Sequence, residues 1–160
     1  MKGYPYFPMF VDLSEKRVLI AGAGVVAARR IGTLAAFTPF ITVIAPEIHS
    51  EIEALERGGK LRVLRRRFEM GDLRGADMVL AATDDEVLNA KIFAACRELR
   101  IPVNVSSDRR MCDFFFPGIV HQGNVVIGVT ASGEDHGMAK AVTARLRQCM
   151  EDSKAREEFT

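Results

Sequence analysis

Short apolar runs alternate along the first two thirds of the chain with longer segments in which apolar residues recur at helical spacing. The apolar runs predict five strands, at residues 17–22, 41–46, 61–68, 76–83 and 101–107. The helical spacing predicts three helices, at residues 25–37, 47–59 and 84–100. Continuously apolar strands that alternate with helices indicate a parallel sheet covered on both faces. We therefore predict a Rossmann-like, doubly wound α/β fold, with its ligand crevice at the carboxyl ends of the strands.

The pattern changes after residue 112. Two β-like runs around "HQGN", within residues 112–133, predict a hairpin, and residues 135–159 predict a closing helix with a charged tail. The three consecutive aromatic residues at 114–116 need a cover, for which a second subunit and the chain's own last helix are the alternatives. We therefore predict a Rossmann domain at 1–112 and a hairpin and helix segment at 113–160 for dimerisation or substrate binding.

Composition and charge exclude several classes of protein. The 22 basic and 21 acidic residues give a net charge of +1, which indicates neither a nucleic-acid-binding nor a membrane-binding surface. We expect no signal peptide, and the sequence has no run of 18 apolar residues. The three cysteines are widely spaced, which argues against disulfides and zinc and favours a reducing compartment. We expect a cytoplasmic protein with no resident metal site.

Residues 22–27, Gly-Ala-Gly-Val-Val-Ala, fit the pattern G-x-G-x-x-G/A between a strand and a helix. Gly22 would permit the tight turn, and Gly24 would let a pyrophosphate approach the N–H groups at the helix start. A glycine turn that binds nothing is the alternative. No arginine stands at the end of the second strand to meet a 2′-phosphate, and Glu47 follows slightly late, so the pattern favours NAD over NADP.

The fourth strand ends in "AATDD", residues 81–85. Small residues leave room for a cofactor there, and Thr83 offers a hydroxyl. Thr83 or Asp84 is also the predicted N-cap of the following helix.

These pieces, in this order, resemble the dehydrogenase/ferrochelatase module of siroheme synthase, the precorrin-2 dehydrogenase family. The likeness runs from about residue 6 to 147. The matching stretches are "YFPMFVDLSEKRVLIAGAGVVAARR", "TVIAPE", "AATDDEVLN", "VNVSSDRRMCDFFFPGIV" and "VTASG".

The resemblance implies that the chain oxidises precorrin-2 to sirohydrochlorin with NAD⁺ as hydride acceptor, in siroheme and tetrapyrrole biosynthesis. Some members of the family also insert Fe²⁺, which would then be a substrate. The family implies a homodimer joined through the segment after the fifth strand. Carried over by position, the implied cofactor-binding residues are Gly22, Ala23, Gly24, Val25, Val26, Pro46, Glu47, Thr83 and Asp84.

The chain departs from the family at the catalytic position. Counted from Asn104 in "VNV", the family's usual catalytic aspartate falls at Ser107, and the second acid of the pair found in many relatives is Asp108. Either Asp108 takes over as the base, with Ser107 as a hydrogen-bonding positioner, or the acid–base function is weakened. A turn residue after a strand is the alternative for Asp108.

Basic groups should surround a substrate that carries eight carboxylates. The predicted substrate-binding residues are Asn104, Arg109, Arg110, His136 and Lys140. Solvated surface charge is the alternative for the cations. A second function also remains open, a non-catalytic NAD(H)-sensing module, and Ser107 in place of an aspartate is the feature that favours it.

Overall fold

The structure is a computed structural model and describes residues 4–157. The strands of the main sheet are β1 (Val18–Ala21), β2 (Ile41–Ile44), β3 (Arg62–Leu64), β4 (Met78–Ala81) and β5 (Val103–Val105). A separate antiparallel pair consists of β6 (Gly118–Gln122) and β7 (Val125–Val129). The helices are α1 (Val25–Leu34), α2 (Ser50–Arg57), α3 (Glu86–Leu99) and α4 (His136–Glu157), with short 3₁₀ helices at Met70–Leu73 and Arg109–Met111.

The main sheet is parallel in every pairing, in the order β3-β2-β1-β4-β5. All four residues of β1 are buried, because both faces of this central strand are covered. The chain runs outward from β1 to β3 and then returns to β4 on the other side of β1. This reversal makes the carboxyl ends of β1 and β4 the topological switch point, where ligands bind in such sheets. The predicted doubly wound fold is confirmed.

The chain forms two compact units. The first, residues 11–115, contains the parallel sheet, and α3 packs on one face of it through Ile92 and Cys96 against Val79 and Val103. The residues of β1, β4 and β5 on this face are all apolar and buried, as expected where a helix covers a parallel sheet.

The second unit contains the described residues up to Phe10 and those from Phe116 onward. Its helix α4 packs directly on the hairpin. The contact is so close that a Cβ atom at Gly118 of β6 would collide with the hydroxyl of the buried Thr143 on α4. The backbone N–H of Tyr6 donates to Ser132 Oγ (2.9 Å), which ties the first described residues to the loop after β7.

Several element boundaries differ from those predicted. Helix α1 ends at Leu34 rather than residue 37, because the chain turns at residues 35–37. Helix α2 begins only after His49, which is its N-cap. Helix α4 begins at His136, one residue after its predicted start. Residues 158 and 159 of the last predicted helix lie outside the described residues.

Among residues 4–157, none of the helices combines the length and the apolar composition needed to cross a membrane.

Candidate cofactor and active site

Gly22, at the end of β1, is required by the protein's own structure. Its φ is +96°, and a Cβ atom there would collide with the carbonyl oxygen of Ala82. The turn after β1 therefore packs against the turn after β4 with no room for a side chain. The backbone N–H of Ala82 also donates to the Ala21 carbonyl oxygen (2.8 Å), which holds the two strand ends together.

Gly24 differs from Gly22, because nothing in the protein requires a glycine there. Its φ of −80° and ψ of −172° suit any residue, and a Cβ atom would have no neighbour within 4 Å. The space over Gly24 is open at the switch point of the sheet. This is the position at which bare backbone would let a pyrophosphate approach.

The N-terminus of α1, which follows Gly24, is suited to an anion. Gly24 is the N-cap, with no side-chain cap and no acidic residue in the first turn. The other three helices each begin with a side chain that accepts a backbone N–H: His49 for α2, Asp85 for α3 and Asp135 for α4. The first N–H groups of α1 are thus directed at the open space, where the helix dipole favours negative charge.

The turn between β2 and α2 lies against the glycine turn. The backbone N–H of His49 donates to the Ala23 carbonyl oxygen (3.0 Å), and the N–H of Gly22 donates to the Ile44 carbonyl oxygen (2.9 Å). Pro46 and Glu47 are exposed in this connection. The structure therefore brings these two predicted residues to the same sheet edge as the glycines. His49 was missed, since a backbone contact leaves no signal in the sequence.

The turn after β4 is held by an amide that the sequence analysis also missed. Asn89 is completely buried; its Oδ1 accepts from the Thr83 hydroxyl (2.7 Å), and its Nδ2 donates to the Thr83 carbonyl oxygen (2.9 Å). An asparagine on the buried face of a predicted helix was the available signal. The predicted N-cap was wrong: Asp85, rather than Thr83 or Asp84, accepts the Leu88 N–H (2.9 Å). Thr83 lies two residues before the N-cap of α3; its hydroxyl donates to Asn89 Oδ1 and accepts from the Asp85 backbone N–H (3.2 Å).

Asn104 lies inside the protein, which conflicts with its predicted contact to a substrate. It is only 2% exposed, its Nδ2 donates to the Phe114 carbonyl oxygen (2.7 Å), and its Oδ1 accepts from Arg30 (2.5 Å). Both ends of the amide are used to hold β5 to its neighbours, so the side chain presents no polar atom to a ligand in this arrangement.

Ser107 and Asp108 lie in the turn after β5, at the same carboxyl edge of the sheet. Ser107 is exposed. The Asp108 carboxylate accepts from the Arg110 side chain (2.7 Å to Nη2) and from the Arg110 backbone N–H (2.9 Å). These bonds stabilise the charged form and lower the pKa of Asp108 to about 2. A carboxylate held in this way is a weak base.

The remaining predicted substrate residues are divided between the two units. Arg109 and Arg110 form the 3₁₀ helix after Asp108 in the first unit. His136 and Lys140 are exposed on the first two turns of α4, in the second unit. Lys140 lies about one turn after the start of α4. Among the described residues there is no group of three histidine, cysteine or acidic side chains that could hold a metal ion.

The open space over Gly24, the uncapped start of α1 and their place at the switch point define a dinucleotide-binding domain of the Rossmann class. The family comparison agrees with this class. The chain belongs to the NAD_binding_7 family, described as "Putative NAD(P)-binding", whose model matches residues 9–118.

The chain is also similar to part of several longer proteins. It is 39% identical over 140 residues to the siroheme synthase of Psychrobacter arcticus, a match that covers 88% of this chain and 26% of that protein. It is 38% identical over 141 residues to the siroheme synthase of Pseudomonas putida (strain F1), covering 88% and 30%. The chain thus spans less than a third of the length of these relatives.

Among solved structures, the fold is similar to "SirC, precorrin-2 dehydrogenase", with a TM-score of 0.76 and 25% sequence identity. The match covers 89% of this chain and 70% of that one. Together with the family, this likeness supports a nicotinamide dinucleotide as the cofactor class.

Proposed function

We propose that the chain is an NAD-dependent dehydrogenase that oxidises precorrin-2 to sirohydrochlorin in siroheme biosynthesis. The observation that carries this proposal is the open space over Gly24 at the uncapped start of α1. It occurs in a chain whose fold matches a precorrin-2 dehydrogenase over 89% of its length and whose sequence matches siroheme synthases.

The glycine turn would bind the pyrophosphate of the cofactor through backbone N–H groups of Gly24, Val25 and Val26. Pro46 and Glu47 would contact the adenosine half, since their turn is bonded to Ala23 through His49. Thr83 and Asp84 would line the nicotinamide half, at a turn that Asn89 keeps rigid. Bound NAD⁺ would supply the hydride acceptor.

NAD is proposed over NADP because of the charges around the end of β2. Glu47 is exposed in the turn after β2, where a carboxylate would repel a 2′-phosphate. A run of arginines follows β3, the strand paired with β2, and two of its members already hold carboxylates: Arg65 binds Glu56 (2.7 Å) and Arg66 binds Asp72 (2.6 Å).

Removal of a hydride from precorrin-2 must be accompanied by loss of a proton, and we assign the proton acceptor to Asp108. In the free protein Arg110 occupies this carboxylate. One of the substrate's carboxylates would draw Arg110 away, which would raise the pKa of Asp108 toward that of an ordinary aspartate and make it a better base. Ser107 would position the substrate, and Arg109 and Arg110 would bind its carboxylates. The roles of His136 and Lys140 in substrate binding stay predictions from the sequence.

A homodimer is proposed from the apolar residues that the chain exposes. Four large apolar side chains of the first described segment are more than two thirds exposed: Tyr4, Phe7, Met9 and Phe10. Exposed apolar groups of this size in a contiguous segment are typical of an interaction surface.

A reducing, cytoplasmic setting is proposed because Cys96, Cys112 and Cys149 are all thiols.

A non-catalytic NAD(H)-binding module is the second candidate. It is favoured by Ser107 at the expected position of an acid and by the weak basicity of the Arg110-bound Asp108. Such a module would bind the cofactor without turning over a tetrapyrrole.

The direct test is anaerobic incubation of the chain with precorrin-2 and either NAD⁺ or NADP⁺, while NAD(P)H and the tetrapyrrole are followed by absorbance. The proposal predicts equal amounts of NADH and sirohydrochlorin, with NAD⁺ the better acceptor. Tight NAD⁺ binding with no change in the tetrapyrrole would contradict the dehydrogenase and support the sensor.

The role of Asp108 is tested by Asp108→Asn, which keeps the shape of the side chain and removes the base. Loss of general-base catalysis typically costs about 10²–10⁴-fold, so kcat should fall at least about tenfold. Glu98→Gln, at an exposed carboxylate near the end of α3, is the matched control and should leave kcat unchanged. An unchanged kcat in Asp108→Asn would remove Asp108 from the mechanism.

A further inference from the structure

Arg30, on α1, reaches across the sheet to the end of β5. Its Nη1 donates to Asn104 Oδ1 (2.5 Å) and to Ser106 Oγ (3.3 Å). The side chain is partly buried, and this desolvation lowers the pKa of Arg30. Its sequence neighbour Arg29 is exposed. Two adjacent arginines of one helix therefore have different surroundings, and only Arg30 is turned toward the site.

The two acceptors of Arg30 are themselves fixed to other elements. The buried Asn104 donates to the Phe114 carbonyl oxygen. Ser106 donates to the Ala81 carbonyl oxygen, from its hydroxyl at 3.0 Å and from its backbone N–H at 2.8 Å. The Arg30 guanidinium thus lies at the centre of a polar network that joins α1, the ends of β4 and β5 and the segment at residue 114. Networks of this kind rigidify the elements they connect when all members are satisfied.

The same network adjoins the two residues proposed for catalysis. Ser106 directly precedes Ser107 and Asp108. On the far side of the turn the Cys112 thiol lies 3.3 Å from the Val105 carbonyl oxygen and 3.4 Å from that of Asp108. The turn is therefore fixed at both ends, by Ser106 with its partners before it and by Cys112 after it.

We propose that Arg30 is a positioning residue, which fixes the turn of Ser107 and Asp108 relative to the helix that follows the glycine turn. The anchor would keep the proton acceptor in register with a cofactor bound at the start of α1, since proton and hydride must leave the same substrate. Its catalytic part rests on the proposed dehydrogenase function. Arg30 itself touches neither cofactor nor substrate in this account.

The test compares Arg30→Met and Arg30→Lys with Arg29→Met as the matched control, each in the full chain. The first readout is hydrogen exchange of the backbone amides at 104–114, and the second is the steady-state kinetics of precorrin-2 oxidation. Arg30→Met should speed exchange in this segment and lower kcat at least about tenfold, the size expected when a catalytic group is misplaced. KM for NAD⁺ should change less than about twofold, since uniform cofactor binding is retained.

Arg30→Lys should restore most of both losses, because an ammonium group can donate to the same two oxygens. Arg29→Met should behave as the unaltered chain. Should Arg30→Met not fold, Ser106→Ala provides the same test by removing one acceptor, and it should reproduce part of the exchange and kcat effects.

Unchanged exchange at 104–114 in Arg30→Met would overturn the inference, as would faster exchange with an unchanged kcat, which would leave Arg30 a purely structural role. An unaltered chain that fails to oxidise precorrin-2 would instead overturn the proposed function. The exchange measurement would still decide whether Arg30 anchors the turn, so the two failures are distinguishable.

Discussion

At the scale of single residues, the two glycines of the turn after β1 have different physical causes. Gly22 is required by its positive φ and by the carbonyl oxygen of Ala82. Gly24 has ordinary backbone angles and open space in place of a side chain. The sequence pattern predicted both as parts of one motif. It could not separate them, because the difference depends on the turn after β4, some 60 residues further along the chain.

We expect Gly22→Ala to destabilise the fold. A side chain at this position combines an unfavourable positive φ with a backbone collision, and the φ term alone costs about 1–2 kcal/mol. The free energy of unfolding, measured in urea, should fall by at least that amount. A free energy of unfolding equal to that of the unaltered chain would show that the turn can relax around a methyl group.

The pairing of Asp108 with Arg110 leads to a prediction for the titration of the Asp108 carboxyl group. Arg110 holds the pKa of Asp108 at about 2. Arg110→Met should therefore raise the midpoint toward about 4, the ordinary value for aspartate, as followed by carboxyl NMR. Because Arg110 favours the charged form of Asp108, the pair stabilises the fold at pH values above the ordinary pKa of aspartate. This contribution to stability is lost as the pH falls through about 2. Arg97→Met, which breaks the separate pair with Asp113 (2.8 Å), should leave the Asp108 titration in place.

At the scale of elements, the apolar runs were enough to predict every strand of the parallel sheet, because buried parallel strands are continuously apolar. The exact ends of the strands and helices were harder to predict. In "TDD" before α3 three side chains are chemically able to cap, and the one that does is Asp85, because it directly precedes Glu86, the first helical residue. Residues 65–67 after β3 were predicted as strand, yet Arg65 and Arg66 leave the sheet to pair with acidic side chains.

The cap of α3 can be tested directly. Asp85→Ala removes the acceptor of the Leu88 N–H and should lower the free energy of unfolding by about 1 kcal/mol, within the usual 0.5–2 kcal/mol for such caps. Asp84→Ala, one residue earlier and exposed, is the control and should change it by less than about 0.5 kcal/mol. Equal effects at both positions would contradict the assignment of the cap.

At the scale of the whole molecule, the sequence predicted a change of architecture after the fifth strand, and the structure places a separate unit there. That this unit also includes the first described residues was not predictable. The connection depends on a bond between Tyr6 and Ser132, residues 126 positions apart in the chain.

The exposed apolar side chains of Tyr4, Phe7, Met9 and Phe10 predict that the chain associates with a second copy of itself. Sedimentation equilibrium in the micromolar range should give twice the chain mass of 17.7 kDa. Phe7→Asp, at a side chain that is 89% exposed, should shift the equilibrium toward the single chain and leave the far-UV circular dichroism spectrum unchanged. A single-chain mass throughout the concentration range would contradict the proposed homodimer.

A nicotinamide dinucleotide bound in the open space over Gly24 is the feature on which the proposed function depends most. The most direct measurement is calorimetric titration of NAD⁺ into the unaltered chain and into Gly24→Ala, whose methyl group meets no protein atom. We predict an unchanged thermal midpoint and an affinity lowered at least about tenfold, about 1.4 kcal/mol. Equal affinities for the two proteins, or no binding heat with the unaltered chain, would contradict the account.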